Sequence, residues 1–339
     1  MNYIHDINIT KAVVHVIDNN CEEPKLTDSQ LDLNEKTYKY IYKHIQKIFN
    51  SDKLYCSKFT DNNKIQEVSH NFFNSDIDLI SLSKFYTNQL FSIMKSNQFI
   101  PFCDLIVAPI LTDQGQMIAI LKLDYIKNYT HSISSLDNKL GINIIENSTI
   151  LPGSSQKINK AAFIKCPNEN NEFDLFVLDR KNKKDENEYG NDYWIKNFLS
   201  CEKVVTNRDN TKNLIDSTEL WVRSNIKDTQ KSLDVRNKLK KSLIENTNIN
   251  IDNFIDTVVG DEYEREFKEF ISPKIEKDFN IDKDFLEKRF KKVKLNIDNN
   301  IDLALSESDY NNKNKFRIIN NPDGSIDIVL KNINKILEK

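Results

Sequence analysis

Residues 103–126 hold two apolar runs, 105–111 and 117–125, on either side of the polar turn Thr112-Asp113-Gln114-Gly115-Gln116. Runs this short, rich in Ile, Leu and Val and bounded by turn residues, read as strands buried on both faces. Gly115 can take the positive φ that a short hairpin loop needs. The stretch therefore predicts a β-hairpin at the core of the N-terminal half. Pro109 cannot donate a ladder hydrogen bond, so its strand requires a bulge or an edge position there.

The same hairpin carries a pattern reminiscent of restriction-type nucleases, which set an Asp on one strand and an acidic-x-Lys on the next around Mg²⁺. Asp104 opens the first strand and Lys122 stands on the second, but Ile120 occupies the place of the second carboxylate. Without that oxygen ligand a hard cation is poorly held. The competing reading makes Asp104 a strand cap and Lys122 a snorkelling side chain at the sheet rim.

Composition narrows the remaining choices. With 339 residues the chain has room for two domains, and a net charge of −3 excludes a uniformly basic nucleic-acid coat. Any DNA contact must come from local patches. Only 6 glycines are present, which disfavours Gly-rich phosphate loops. The run Gly153-Ser154-Ser155-Gln156-Lys157 lacks P-loop spacing and reads as a connecting turn. Cys21, Cys56, Cys103, Cys166 and Cys201 form no CxxC pair and read as free thiols of a reducing cytosol. His5, His15, His44, His70 and His131 show no metal-ligand spacing and read as structural. No cofactor is expected. No apolar run approaches the ~20 residues of a membrane span, nor is there a signal-type h-region, so neither membrane nor secretion is expected.

In chain order, 7–18 read as a strand and 30–49 as a helix with Tyr38, Ile41, Ile45 and Ile48 on one face. A second helix opens on a Ser75/Asp78 capping pair and shows the stripe Leu79, Leu82, Tyr86, Leu90, Ile93. Strand candidates follow at 141–147, 160–166 and 173–179, then a polar loop over 180–192. Helices are predicted over 209–226, 230–245, 261–271 and 283–291, and strands over 292–297, 301–306, 315–320 and 325–330, the last two around Asn321-Pro322-Asp323-Gly324. The fold class is α+β. Residues 1–190 form an N-terminal mixed α/β domain with a central hairpin sheet, and residues 191–339 a helical domain ending in a small antiparallel sheet.

This order of elements resembles the bacterial nucleoid-associated proteins of the NdpA (YejK) family. The resemblance rests on Ile9 to His15, on Leu121-Lys122-Leu123-Asp124-Tyr125, and on Ile150-Leu151-Pro152 through Lys160-Ala161-Ala162-Phe163. It continues through the strand Asp174 to Asp179, Phe198-Leu199-Ser200-Cys201 ahead of a polar-capped helix at Asn207–Leu214, and the closing turn at Asn321–Gly324. None of these is a catalytic signature. The resemblance implies a cytosolic protein that lies with the chromosome and binds double-stranded DNA with little sequence preference. It carries over no catalytic residue.

The residues themselves offer three basic groups. Lys288, Arg289, Lys291, Lys292 and Lys294 flank Phe290 and Val293, which are expected to face inward. Lys313, Lys315 and Arg317 form the second group, and Arg180, Lys181, Lys183 and Lys184 the third. Clustered Lys and Arg neutralise phosphates and release counterions, although each group taken alone reads first as an ordinary solvated face. No helix-turn-helix, zinc-finger or RNA-recognition signature is present. The leading expectation is a non-enzymatic DNA-binding protein of the nucleoid. The alternatives are a nuclease using Asp104 and Lys122, or a DNA-sensing subunit of an anti-phage system. Homo-oligomerisation or an effector protein would supply further partners.

Overall fold

The computed structural model describes residues 4 and 6–333, apart from 137–138, 170, 181–191, 261–262, 299 and 324. Of residues 136, 139, 288, 292, 294, 296, 307, 311 and 320 only the backbone is described. The chain divides into two units, Tyr3–Val205 and a second that holds Thr206–Lys339. Both mix helices with antiparallel strands, so the fold class is α+β.

The first unit contains β1 (Ile7–Ile9), β2 (Val13–Ile17), α1 (Glu35–Phe49), β3 (Leu54–Phe59), α2 (Lys64–Phe73) and α3 (Leu79–Ser96). It continues with β4 (Cys103–Thr112), β5 (Gly115–Asp124), β6 (Ile126–Leu136), β7 (Lys139–Ile150), β8 (Lys160–Lys165) and β9 (Leu175–Asp179). A π-helix, Tyr193–Leu199, and β10 (Cys201–Lys203) complete it. Eight strands form one antiparallel sheet in the order β1–β4–β5–β8–β9–β3–β10, with β2 also on β4. The expected hairpin is its β4–β5 pair, in register from Cys103↔Asp124 to Thr112↔Gly115.

β4 is an interior strand, yet Pro109 is accommodated. β1 covers residues 110–112 of β4 and β2 covers 103–107, so Pro109 stands at the break between them. Its carbonyl accepts from the Thr10 amide (3.3 Å) on that side. A strand residue points its N and C=O the same way, so the missing donor also faces the break. The strand read over 7–18 is thus two strands, interrupted where the proline requires it.

Both faces of the sheet are covered, which is why its strands read as continuous apolar runs. On one face Leu82, Tyr86, Leu90 and Met94 of α3 join Leu105, Val107, Ile118, Ile120 and the π-helix residues Trp194 and Phe198. On the other, Phe49 of α1 meets Phe163 and Phe176 at 4.2 and 5.9 Å between ring centroids. The α3 stripe is buried as expected except Ile93, which is partly exposed. The capping pair is not formed: Asp78 itself caps α3 by accepting from the Ser81 amide (2.7 Å), and Ser75 takes a positive φ of 66°. Ser75 instead ends the turn after α2, its amide donating to Phe72 (3.0 Å). The division between units lies past the 190/191 boundary read from sequence. The π-helix packs into the first unit's core, and β10 pairs with β3.

His15 on β2 is buried between β2 and α3. Its Nδ1 accepts from the Thr27 amide (3.0 Å), so Nε2 carries the proton and donates to Ser83 Oγ (2.9 Å), which donates on to the Ile80 carbonyl (2.9 Å). Burial, helped by the charge of Lys84 and opposed by Asp28, pushes its pKa down to about 4. The folded value lies below the unfolded one, so this contribution is complete above about pH 6.5 and is lost as pH falls towards 4. The loss should reach about 3 kcal/mol. Burial lowers the His44 pKa as well, against its contact with the Pro152 carbonyl, so it acts in the same direction. The urea midpoint of the first unit should therefore fall more steeply between pH 7 and 4 in the parent than in His15→Gln. Equal slopes would show that His15 protonation is not what is being paid against.

The second unit packs α4 (Asn207–Asn225), α5 (Thr229–Glu245), α6 (Ile251–Val258), α7 (Glu264–Ile271) and α8 (Lys283–Phe290) around one core. Trp221 lies edge-on to Tyr263 and Phe267, at 5.5 and 5.1 Å between centroids. A small pair, β11 (Asn248–Asn250) and β12 (Asp278–Asn280), links the helices. α4 opens on a capping box between Thr206 and Asp209. The closing strands are two separate hairpins: β13 (Lys292–Ile297) with β14 (Ile301–Ser306), and β15 (Phe316–Asn320) with β16 (Ile326–Leu330). Between them, α9 (Glu307–Asn311) packs against β13, β14 and β15.

Candidate nucleic-acid interface

Among the described residues of the basic groups, Arg289, Lys291, Lys313, Lys315 and Arg317 are exposed. α8 ends at Phe290, which packs on the core of the second unit, and Val293 at the start of β13 is half-buried. Turning these apolar residues inward leaves Arg289 and Lys291 exposed. Arg289 pairs with Asp216 (2.9 Å) in a half-exposed contact of little energetic weight. Lys288, Lys292 and Lys294 belong to the same two elements, but their side chains lie outside the described residues.

The second group lies on the connection into β15. Lys313 and Arg317 are exposed, and Arg317 Nε donates to the Lys313 carbonyl (2.6 Å), which orders the loop. Lys315 pairs with Asp309 of α9 (2.7 Å). Lys291 and Lys313 have no acidic partner among the described residues. Because α9 touches both hairpins, it ties the elements bearing the first group to those bearing the second. Of the third group only Arg180 is described: it is half-buried in the first unit and donates to Ser51 Oγ (2.9 Å). Lys181, Lys183 and Lys184 lie outside the described residues.

The hairpin does not bring Asp104 and Lys122 together. Lys122 stands opposite Leu105, whereas Asp104 stands opposite Leu123, and alternation sends the two side chains to opposite faces. Asp104 faces the α1 side, where the Tyr125 hydroxyl donates to it (2.6 Å); burial raises its pKa and this bond opposes the rise. The Gly153–Lys157 run is a turn that uses its own polar groups, the Gly153 amide donating to Gln156 Oε1 (2.6 Å).

Lys122 is not a snorkelling rim residue. It is fully buried, bonded to the Asp124 carboxylate and donating to the Pro101 carbonyl (3.1 Å). Burial disfavours its charge, but Cys103, Tyr193 and Asp124 outweigh that and hold its pKa above the usual lysine value. In the same row of the sheet, Lys122 pairs with Lys160 of β8, and Lys160 with Asp179 of β9. Lys160 and Asp179 form a buried ion pair, and the Lys160 ammonium lies 5.3 Å from the centre of the Tyr193 ring. Two lysines and two aspartates thus balance one another beneath the π-helix. Sequence reasoning missed this cluster; its only trace is the charged residues at the ends of three largely apolar strands, Lys122 and Asp124 in β5, Lys160 in β8 and Asp179 in β9. Among the described residues, no group of three or more His, Cys, Asp or Glu is placed to hold a metal ion.

The model of the family described as the nucleoid-associated protein YejK matches residues 13–338. The chain belongs to this family. A comparison with curated proteins returns no match. In this YejK-family chain, stretches that carry the resemblance meet in space. Leu121–Tyr125, Lys160–Phe163 and Asp174–Asp179 supply all four members of the buried charge cluster. The Ile150–Pro152 stretch offers the Pro152 carbonyl to the Tyr40 hydroxyl (2.8 Å) and to His44. These motifs belong to the first unit, while Arg289, Lys291, Lys313, Lys315 and Arg317 belong to the second. No described helix is long and apolar enough to cross a membrane.

Proposed function

We propose that this chain is a non-enzymatic, double-stranded-DNA-binding protein of the bacterial nucleoid, working in the cytoplasm without a cofactor. It grips phosphates and not base edges, through the basic groups of the second unit. Membership of the YejK family over residues 13–338 carries the reading. The inward turn of Phe290, which leaves Arg289 and Lys291 exposed, supports the place of contact. Exposed cations at the end of α8, on β15 and on the loop before it suit backbone contact, and the sequence carries no helix-turn-helix signature.

The test is fluorescence anisotropy on random-sequence duplexes across a salt series, with and without Mg²⁺. Each phosphate neutralised adds about −0.9 to the log–log salt slope. Lys291→Ala/Lys313→Ala/Arg317→Ala should flatten the slope by up to about 3 and weaken every duplex alike. An unchanged slope would move the contact elsewhere, to Arg180–Lys184 first. Mg²⁺-dependent cutting by the parent, lost in both Lys122→Ala and Asp104→Ala while the Trp194 unfolding transition persists, would overturn the non-enzymatic reading in favour of the nuclease alternative.

A further inference from the structure

β6 and β7 form a two-stranded ribbon that pairs with no other strand among the described residues, about 35 Å long at the usual rise per residue. Their register places Tyr129 opposite Glu146, His131 opposite Ile144, Ile133 opposite Ile142, and Ser135 opposite Leu140. Directly opposed residues share a face, and alternate residues change face. One face therefore carries Tyr129, Ile133, Leu140, Ile142 and Ile144, with His131 and Ser135 between them and Glu146 at one end. The other carries Asn128, Thr130, Ser132, Ser134, Asn143 and Asn147, with Ile145 the large apolar residue among its described side chains. The apolar face is open: Tyr129 is 68%, Ile133 61%, Leu140 70%, Ile142 63% and Ile144 79% exposed.

An isolated two-stranded ribbon is marginal at best in water, and stability comes with further strands or a covered apolar face. At about 200 Å² per fully exposed large side chain, the open face offers about 700 Å², beyond what a lone soluble surface leaves bare. Two such faces clasped together bury up to about 1,400 Å², within the range of a stable specific interface. The charges also fit a second copy. Lys127 and Glu146 are ion-paired on the ribbon (3.0 Å), and the sequence between them holds one further acid, Asp137, against one further base, Lys139. Such a ribbon has no excess cation with which to neutralise phosphates, so it is not built as a DNA-binding arm. The one carboxylate on the apolar face, Glu146, is already paired with Lys127, so a second copy can cover the face without leaving that charge unpaired.

We infer that the chain forms a two-fold dimer in which the β6–β7 ribbons clasp apolar face to apolar face, making a small four-stranded sandwich. The pairing is isologous, with the same patch used by both copies. It is independent of the DNA reading and is read without DNA. Sedimentation equilibrium of the full chain at micromolar concentration should give twice the chain mass. Ile133→Asp/Ile142→Asp should halve that mass, and the milder Tyr129→Ser/Ile144→Ser should raise the dimer dissociation constant at least tenfold. Ser132→Asp, on the polar face, should remain dimeric. Trp194 fluorescence should show the same unfolding midpoint in the monomeric variants at low protein concentration, since the ribbon lies outside the main sheet. A monomeric parent, or apolar-face variants that stay dimeric, would overturn the inference. Loss of DNA affinity in those variants with an unchanged mass would instead make the ribbon a nucleic-acid surface.

Discussion

Asp179→Ala should destabilise the first unit by about 3–5 kcal/mol, because it strands a buried cation. The Asp179 side chain is 1% exposed and the Lys160 side chain 9% exposed in their ion pair, so neither can turn to water once the other is removed. Lys122, the next residue in the same row, is also buried and adds a like charge beside Lys160. The cost belongs to the broken pair and not to the intact one. Replacing both partners with apolar side chains, Lys160→Met/Asp179→Leu, should cost less than about 1 kcal/mol, since desolvation and attraction nearly cancel in the parent. The Asp179 Oδ2 atom, buried without a partner, weakens the intact pair further. The chain has 2 tryptophans, Trp194 in the first unit and Trp221 in the second. Urea unfolding in a Trp221→Phe background, followed by fluorescence, reports the first unit alone and avoids treating two units as one transition. If Asp179→Ala and the double replacement cost the same, the stranded Lys160 charge is not the source of the loss.

The sequence makes the central hairpin legible because its signal is local: two apolar runs, a turn and Gly115 suffice. The α3 stripe and the closing hairpins are legible for the same reason. The buried charge cluster is not, because what buries Lys122 is supplied from far along the chain. Lys160 and Asp179 come from later strands and Tyr193 from a π-helix, and no spacing rule links them. Read alone, a lysine in an apolar strand is best explained by a rim position, which the structure corrects. β3 and α2 escape for a different reason. α2 buries only Ile65 and Ser69, too little to set up a visible stripe. In the ribbon, alternation at Ile142 and Ile144 marks a strand correctly, but period 2 cannot say whether the apolar face is covered within the chain or left open. Among the basic groups, the inward setting of Phe290 and Val293 follows from their alternation with charge. The pairing of Lys315 with Asp309 does not, because it depends on where α9 lies.

Leu90→Ala should cost about 2–5 kcal/mol, in the upper half of that range. Leu90 is 0% exposed and sits one turn from both Tyr86 and Met94, each also fully buried in the same cluster. Removing its branched end forfeits the transfer energy of the lost methyl groups and leaves a void whose cost depends on how far the neighbours can collapse. Here they are held. The Tyr86 hydroxyl is bonded to Ser69 Oγ of α2 (2.7 Å), and Leu105, Val107, Ile118 and Ile120 are fixed in an eight-stranded sheet with register locked on both sides. A cavity between a pinned tyrosine and a sheet cannot close without breaking a buried hydrogen bond or bending strands. Ile93, partly exposed on the next face of the same helix, supplies the internal comparison. Ile93→Ala loses similar apolar volume but opens to solvent, so it should cost clearly less than Leu90→Ala in the same Trp194 unfolding measurement. Equal costs would mean that α3 is held by helix propensity and not by its packing on the sheet, and a cost below about 0.5 kcal/mol for Leu90→Ala would remove α3 from the core altogether.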